Sequence, residues 1–363
     1  MKSLFKFNIF TFFTTLAKTT VEVFIPILLY KYGESIREIM IFFIACFILN
    51  VIIAPLVSLL GEKIGFKWIV FISAFLFVLQ FYSLEVFPNI YLLALLYSLN
   101  NSFYYLGKHN YTTGVLDSKK LGSGVGSILI VTIIAAIPAS YFGSILLDKG
   151  SVYLTMIIVL VIYLIGVIPL FFIKQEKHIH ERVLDTIKKL PMVNHWYFAS
   201  TQFKIVFFLL YPLYIFINVK AEFSFIGKIN AVVGVSSIIF IYFYAKVLDK
   251  KKSDYMLFAA MFLTIILFLE INTKSSMVLL LISFIEGIAT KLYETSVAKD
   301  FYFVPKDVSH SCYFLIYEIF NNLVKAGVLM MLLIFSTNLK LVLIILLGGI
   351  MISGFIKFKN PLV

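Results

Sequence analysis

Nine charged side chains lie inside hydrophobic segments long enough to cross a bilayer: Lys18, Glu22, Lys108, Lys204, Glu286, Lys291, Glu294, Glu318 and Lys325. Each costs about 2.5–3.5 kcal/mol at the centre of a membrane on insertion scales, and together they would oppose insertion by roughly 20–30 kcal/mol if isolated. They must pair with one another, face water, or do both. Carboxylates and ammoniums held in that way can bind a polar solute. A carboxylate whose surroundings alternate between desolvated and ammonium-paired can load and release a proton.

The spacing of polar residues groups them on helix faces. Thr14, Lys18 and Glu22 repeat every four residues, and Tyr97, Asn101, Tyr104 and Lys108 follow at intervals of four, three and four. Ser200, Lys204 and Tyr211 share a third face. Glu286, Thr290, Tyr293 and Glu294 share another with Lys291 beside them, and Glu318, Asn321, Asn322 and Lys325 a fifth. Each stripe marks an otherwise apolar cylinder and suits a wet cavity between helices. Glu22 and Glu286 sit nearest mid-membrane and lead as proton carriers, with Glu318 next. The bland alternative is a fixed pair that only holds helices together, such as Lys18 with Glu22 or Glu318 with Lys325. Tyr104, Tyr211, Tyr293 and Tyr317 could stack on a ring or cation. In a chain with 21 Tyr and 39 Phe, packing and interfacial belts account for most of them.

The elements that must position these groups follow from composition. A chain of 363 residues that is 61% hydrophobic and 14% charged cannot hide its apolar surface in a soluble core. Barrel strands would show alternation over about ten residues, which is absent. Apolar runs between polar punctuation predict twelve helical spans near 7–30, 37–60, 67–86, 90–110, 122–146, 151–173, 196–218, 225–246, 255–271, 275–298, 309–335 and 338–356. The first run begins like a signal peptide but carries Lys18 and Glu22 and lacks a small-residue cleavage site, so it is expected to be retained. With the N-terminus inside, nineteen of the 31 Lys and Arg fall on the cytoplasmic side, seven outside and five within the spans. That bias predicts both termini in the cytoplasm. The net charge of +12 is read as this topology signal rather than as nucleic-acid binding. Cys46 and Cys312 form no disulfide framework.

The longest connection, 174–195, divides the chain into expected bundles at 1–173 and 196–363. Within it Val183, Leu184, Ile187 and Leu190 share a face beside Lys188 and Lys189, which predicts a short helix on the membrane surface. Similar basic turns recur in the halves: Ser58-Leu-Leu-Gly-Glu62-Lys63-Ile-Gly65-Phe-Lys67, and Ala245-Lys-Val-Leu-Asp249-Lys250-Lys-Lys. Aligning Glu62 with Asp249 gives an offset of 187 residues. The offset carries Lys18 to within one residue of Lys204 and Lys108 to within one of Glu294, as a structural repeat would.

At these turns the chain resembles the major facilitator superfamily of secondary transporters, whose second loop reads G-x-L-a-D-r-x-G-r-k. Glu62, Lys63, Gly65 and Lys67 occupy its positions, with Ser58 for the first Gly and Glu for Asp; the second copy keeps Asp249 and Lys250. The resemblance implies an all-α integral membrane protein of twelve helices in two six-helix pseudo-repeat bundles. It further implies that spans one, four, seven and ten line a central cavity and that the basic turns act as a cytoplasmic gate, with Glu62 near Ser309 to Cys312. The nine charges fall on spans one, four, seven, ten and eleven. The expected function is therefore alternating-access transport of a small polar or charged organic solute, proton-coupled, by a monomer without cofactor, metal or nucleic acid, in a bacterial plasma membrane. The multidrug pattern expected of span five reduces to Pro138 and Gly143. A lipid flippase on the same fold and a multipass transferase, with His109 or Glu294 as base, are the rival readings.

Three signals are discounted. His178 and His180 with Glu176 and Glu181 lie in a charged loop without a second ligand cluster. The glycines at 122, 124 and 126 open a span with no preceding strand, so they are not a phosphate loop. Asn110-Tyr-Thr112 falls on the cytoplasmic side.

Overall fold

A bilayer leaves backbone polar groups no partner but one another, and the chain answers with helices. The computed structural model describes residues 2–86, 89–116, 121–149, 152–173, 192–219, 222–250, 255–302, 308–335 and 338–359. The spans are, in order, Lys2–Glu22 with Ile25–Lys31, then Ile36–Ile64, Phe66–Val86, Ile90–Val115, Leu121–Lys149, Val152–Val167 and Met192–Asn218. Phe223–Lys250, Met256–Asn272, Ser276–Phe301, His310–Leu332 and Leu339–Lys359 complete them. Ten of these are long and apolar enough to cross a membrane, Val152–Val167 by continuing through the 3-10 turn Ile168–Phe172. The remaining two are Met256–Asn272, apolar but only 17 residues, and Ile90–Val115, long enough but carrying buried Ser98, Asn100, Asn101 and Ser102. Residues 174–191, including the expected surface helix, lie outside the described residues.

Local chemistry sets the boundaries. Ser35 and Glu38 form a reciprocal capping box at the start of span two: the Glu38 N–H donates to Ser35 Oγ at 3.2 Å and the Ser35 N–H to Glu38 Oε2 at 2.7 Å. Asn89 Oδ1 accepts from the amides of Tyr91 and Leu92 to open span four. Gly65, with φ 93°, makes the turn between spans two and three, a conformation costly for any residue with a Cβ.

Span one departs from the single helix expected over 7–30. It breaks after Glu22 and resumes at Ile25, with the Phe24 N–H bonded back to the Val21 carbonyl at 3.0 Å. Pro26 explains the break, since it has no N–H for the Glu22 carbonyl and its ring crowds that turn.

The packing repeats with a shift of six spans. Span one packs on five and six, three on four and six, and two on four; correspondingly seven packs on eleven and twelve, nine on ten and twelve, and eight on ten. Two long seams join the halves, span two with eleven and span five with eight, flanked by contacts of four with eleven and of five with ten. Exposed Ile52, Leu56 and Leu59, spaced four and three apart, illustrate the apolar faces left for lipid.

Candidate functional site

In the first half Lys18 is the organising cation. It is buried, pairs with Glu22 at 2.6 Å one turn on, and donates to Asn100 Oδ1 at 2.8 Å. Its ammonium lies 4.6 Å from the centre of the Tyr104 ring and 5.0 Å from that of Phe77. Asn100 in turn donates to the Ser73 carbonyl, fixing which oxygen faces the lysine. Thr14 meets the Tyr104 hydroxyl at 3.2 Å, and Asn101 stands beside Tyr97. Lys108 also lies over the Tyr104 ring, at 5.5 Å from its centre. Sequence spacing singled out Asn101; the lysine's partner is its neighbour Asn100, which faces span one.

In the second half Lys204 of span seven reaches Glu294 of span ten, and Lys291 takes the other oxygen of that carboxylate. Both halves thus hold a lysine of their first span against a polar group of their fourth. Lys204 also lies over Phe208 at 5.1 Å. Tyr293, on the same stripe, meets Ser353 of span twelve at 2.8 Å.

Glu286 is buried and, among the described residues, pairs with no lysine. Glu270 of span nine stands beside it, held by Ser283 one turn earlier on span ten. Glu270, fully buried, accepts from the Ser283 hydroxyl at 3.0 Å. The Tyr211 hydroxyl points at Glu270 without completing a bond of good geometry. Glu270 is the buried carboxylate the sequence reading missed, because it ends an apolar run and looks like a polar terminus. Lys357, read as a tail residue, is likewise buried and pairs with Asp300 at 2.9 Å.

Among the described residues span eleven does not form the Glu318–Lys325 pair that the bland alternative offered. Glu318 Oε1 accepts from Asn322 at 2.8 Å, while Lys325 lies over Phe47 of span two at 4.7 Å. Seven residues separate their backbone positions by about 10 Å along the axis, and each side chain engages a nearer neighbour. Among the described residues neither Lys108 nor Lys325 pairs with a carboxylate.

At the turn between spans two and three, Glu62 Oε1 accepts from the Ser311 hydroxyl at 3.4 Å, beside a second contact of the same length between Ser58 and Ser311. Lys63 is exposed, and Lys67 lies over Phe171 at 5.5 Å. The side chains of Asp249 and Lys250 lie outside the described residues. On the same end of the molecule His109 Nδ1 meets the Tyr302 hydroxyl at 3.0 Å and stacks on Phe314, joining span four to spans ten and eleven.

Comparison with known proteins places this geometry. The family model described as Major Facilitator Superfamily matches residues 7–326. No curated protein matches in sequence. Among solved structures, a bacterial homologue of the iron transporter ferroportin in an outward-facing state is similar with TM-score 0.70 at 9% identity, covering 99% of each chain. The human organic anion transporter MFSD10 is similar with TM-score 0.70 at 12% identity, covering 98% of each. At such identities the likeness carries the fold alone, while the family match spans most of the chain. This chain is a multi-pass integral membrane protein, a transporter rather than an enzyme, and it belongs to the Major Facilitator Superfamily.

Proposed function

We propose that the protein moves a small polar or charged organic solute by alternating access, coupled to protons, with residues 1–173 and 196–363 acting as two bodies. One observation carries the reading. Among the described residues every ion pair lies within a half: Lys18–Glu22 in the first, and Lys204–Glu294, Lys291–Glu294 and Lys357–Asp300 in the second. Contacts between the halves are of another kind: two contacts of 3.4 Å at the Ser311 hydroxyl, one His–Tyr bond, the Asp148 carboxylate at the Ser224 amide, Lys31 and Lys325 over the rings of Phe223 and Phe47, and ring pairs. Opposite charges paired inside each body, with singly charged and neutral contacts between the bodies, are what rocking about a central site requires.

Lys108 and Lys325 are the cations left for an anionic or zwitterionic group, since Lys18, Lys204 and Lys291 are engaged. Of the two leading proton carriers, Glu22 is held by Lys18, whereas Glu286 has no lysine partner; Glu286 carries the proton in this reading. Glu62 latches span two to span eleven, with Lys63, Gly65 and Lys67 shaping its turn and Asp249 and Lys250 marking the repeat. The protein works as a monomer in a bacterial plasma membrane with both termini in the cytoplasm.

The test begins with a thermal-shift screen of metabolites on purified protein, followed by uptake of each hit into proteoliposomes with and without a pH gradient. Uptake that a pH gradient drives uphill is the expected result. Saturable uptake indifferent to the gradient would remove the proton from the cycle, and stabilisation by apolar lipids alone would remove the polar solute.

A further inference from the structure

We propose that Glu270 and Glu286 form a single proton-binding site, enclosed within the second half by spans seven, nine and ten and separate from the solute-binding lysines. This rests on the proton-coupled reading above and assigns it an address. Glu270 is 0% exposed, Glu286 2% and Tyr211 5%, so the site is shut off from water. Two bare carboxylates offer one another only acceptors, and a hydrogen bond between them requires a proton on one of the four oxygens. Glu270 Oε1 takes the Ser283 hydroxyl, which leaves Oε2 of each residue without a bond of good geometry. The buried Tyr211 hydroxyl is a third group aimed at the same spot and lacking a partner.

The charges around the pair fit one proton. On span seven stand Lys204, Tyr211 and Tyr214, the last committed to the Ile271 carbonyl at 2.5 Å. Span ten adds Lys291 and the unpartnered hydroxyl of Thr290. Span eight contributes Ser237, which donates to the Gly287 carbonyl at 3.0 Å, and two turns earlier the buried amide nitrogen of Asn230. Lys204 and Lys291 share Glu294, so that triad keeps one positive charge. A carboxyl pair with one proton carries one negative charge, and the cluster sums to zero. When the proton leaves for water, the Tyr211 hydroxyl is placed to donate to Glu270 in its stead, and the uncompensated charge disfavours burial until a proton returns.

Infrared pH-difference spectra of the purified protein test the assignment without any solute. The protonated pair should give a carboxylic C=O stretching band in the wild type. Both Glu270→Gln and Glu286→Gln should abolish it, because a single remaining carboxyl balances the triad by staying ionised. Tyr211→Phe and Ser283→Ala, milder changes that keep both carboxyls, should retain the band at a shifted frequency and serve if a Gln variant fails to fold. A band unaltered by all four substitutions would overturn the site, as would one that disappears on adding sodium at constant pH. Uptake in parallel proteoliposomes separates the two levels. A band lost in the variants with gradient-indifferent wild-type uptake keeps the site and refutes coupling; gradient-driven uptake with an unaltered band does the reverse.

Discussion

Glu294→Gln should be among the most damaging isosteric changes in the protein. Glu294 is the one carboxylate bonded by both Lys204 and Lys291, whose side chains are 9% and 15% exposed. Breaking a buried pair by removing one partner costs about 3–5 kcal/mol, because the other charge stays behind. Here two ammoniums are orphaned, but the Glu294 side chain is 29% exposed and its site is partly solvated, so we take the lower end, about 3 kcal/mol. That is about a hundredfold in the folding equilibrium. At about 2 °C per kcal/mol for a large chain, thermal unfolding in detergent should fall by about 6 °C. Lys291→Gln, in contrast, leaves Lys204 paired with Glu294 and should cost under about 1 kcal/mol. Adding Lys204→Met to Glu294→Gln removes the more buried orphan and should recover at least half of the loss. Equal losses for Glu294→Gln and Lys291→Gln would refute the argument that the triad is organised around one carboxylate. So would a double variant less stable than Glu294→Gln alone.

Gly143→Ala should destabilise by about 1–3 kcal/mol, since a Cβ there overlaps the Thr20 backbone where spans one and five touch. Unchanged unfolding of that variant would mean that the spans separate easily. Glu286→Gln should abolish gradient-driven accumulation while sparing counterflow exchange, whereas Glu22→Gln orphans Lys18 and should depress folded yield and both transport modes together. Accumulation surviving in the Glu286 variant would exclude it as carrier. Cysteines placed at Asn89 and Asn272 should react with an impermeant reagent added outside, and those at Ser118 and Ser253 only after permeabilisation, with denatured controls for each. The reverse pattern would invert the topology.

Much of the architecture is legible in the sequence because a bilayer makes hydropathy nearly sufficient: the twelve apolar runs became the twelve spans, and a half-repeat was visible in charges alone. The Lys18–Glu22 pair was legible too, since residues four apart meet on a helix. Lys204 with Glu294 was not, because ninety residues separate them and only the packing of span seven on ten brings them together. Glu270 escaped for a similar reason. Its burial depends on Ser283, on another helix, whereas its sequence neighbours Asn272 and Thr273 look like a loop. The break in span one was written in Pro26 but is invisible to an average of hydropathy. The unmade Glu318–Lys325 pair shows the opposite case, in which opposite charges on one stripe offered a contact as the bland alternative but each side chain found a nearer neighbour in Asn322 and Phe47.

The confinement of the described ion pairs to single halves also has an electrical consequence. If the halves move as bodies, no ion pair among the described residues separates or forms as they swing, and Lys18, Lys204 and Lys291 travel beside their own counter-charges. The membrane potential, worth about 2.3 kcal/mol per elementary charge per 100 mV, then finds little displaced charge in the empty carrier. The voltage dependence of a transport cycle reports the cargo: the charge of the solute and the number of protons that accompany it. Currents recorded across a planar bilayer would therefore read out stoichiometry with little background from the protein's own gating.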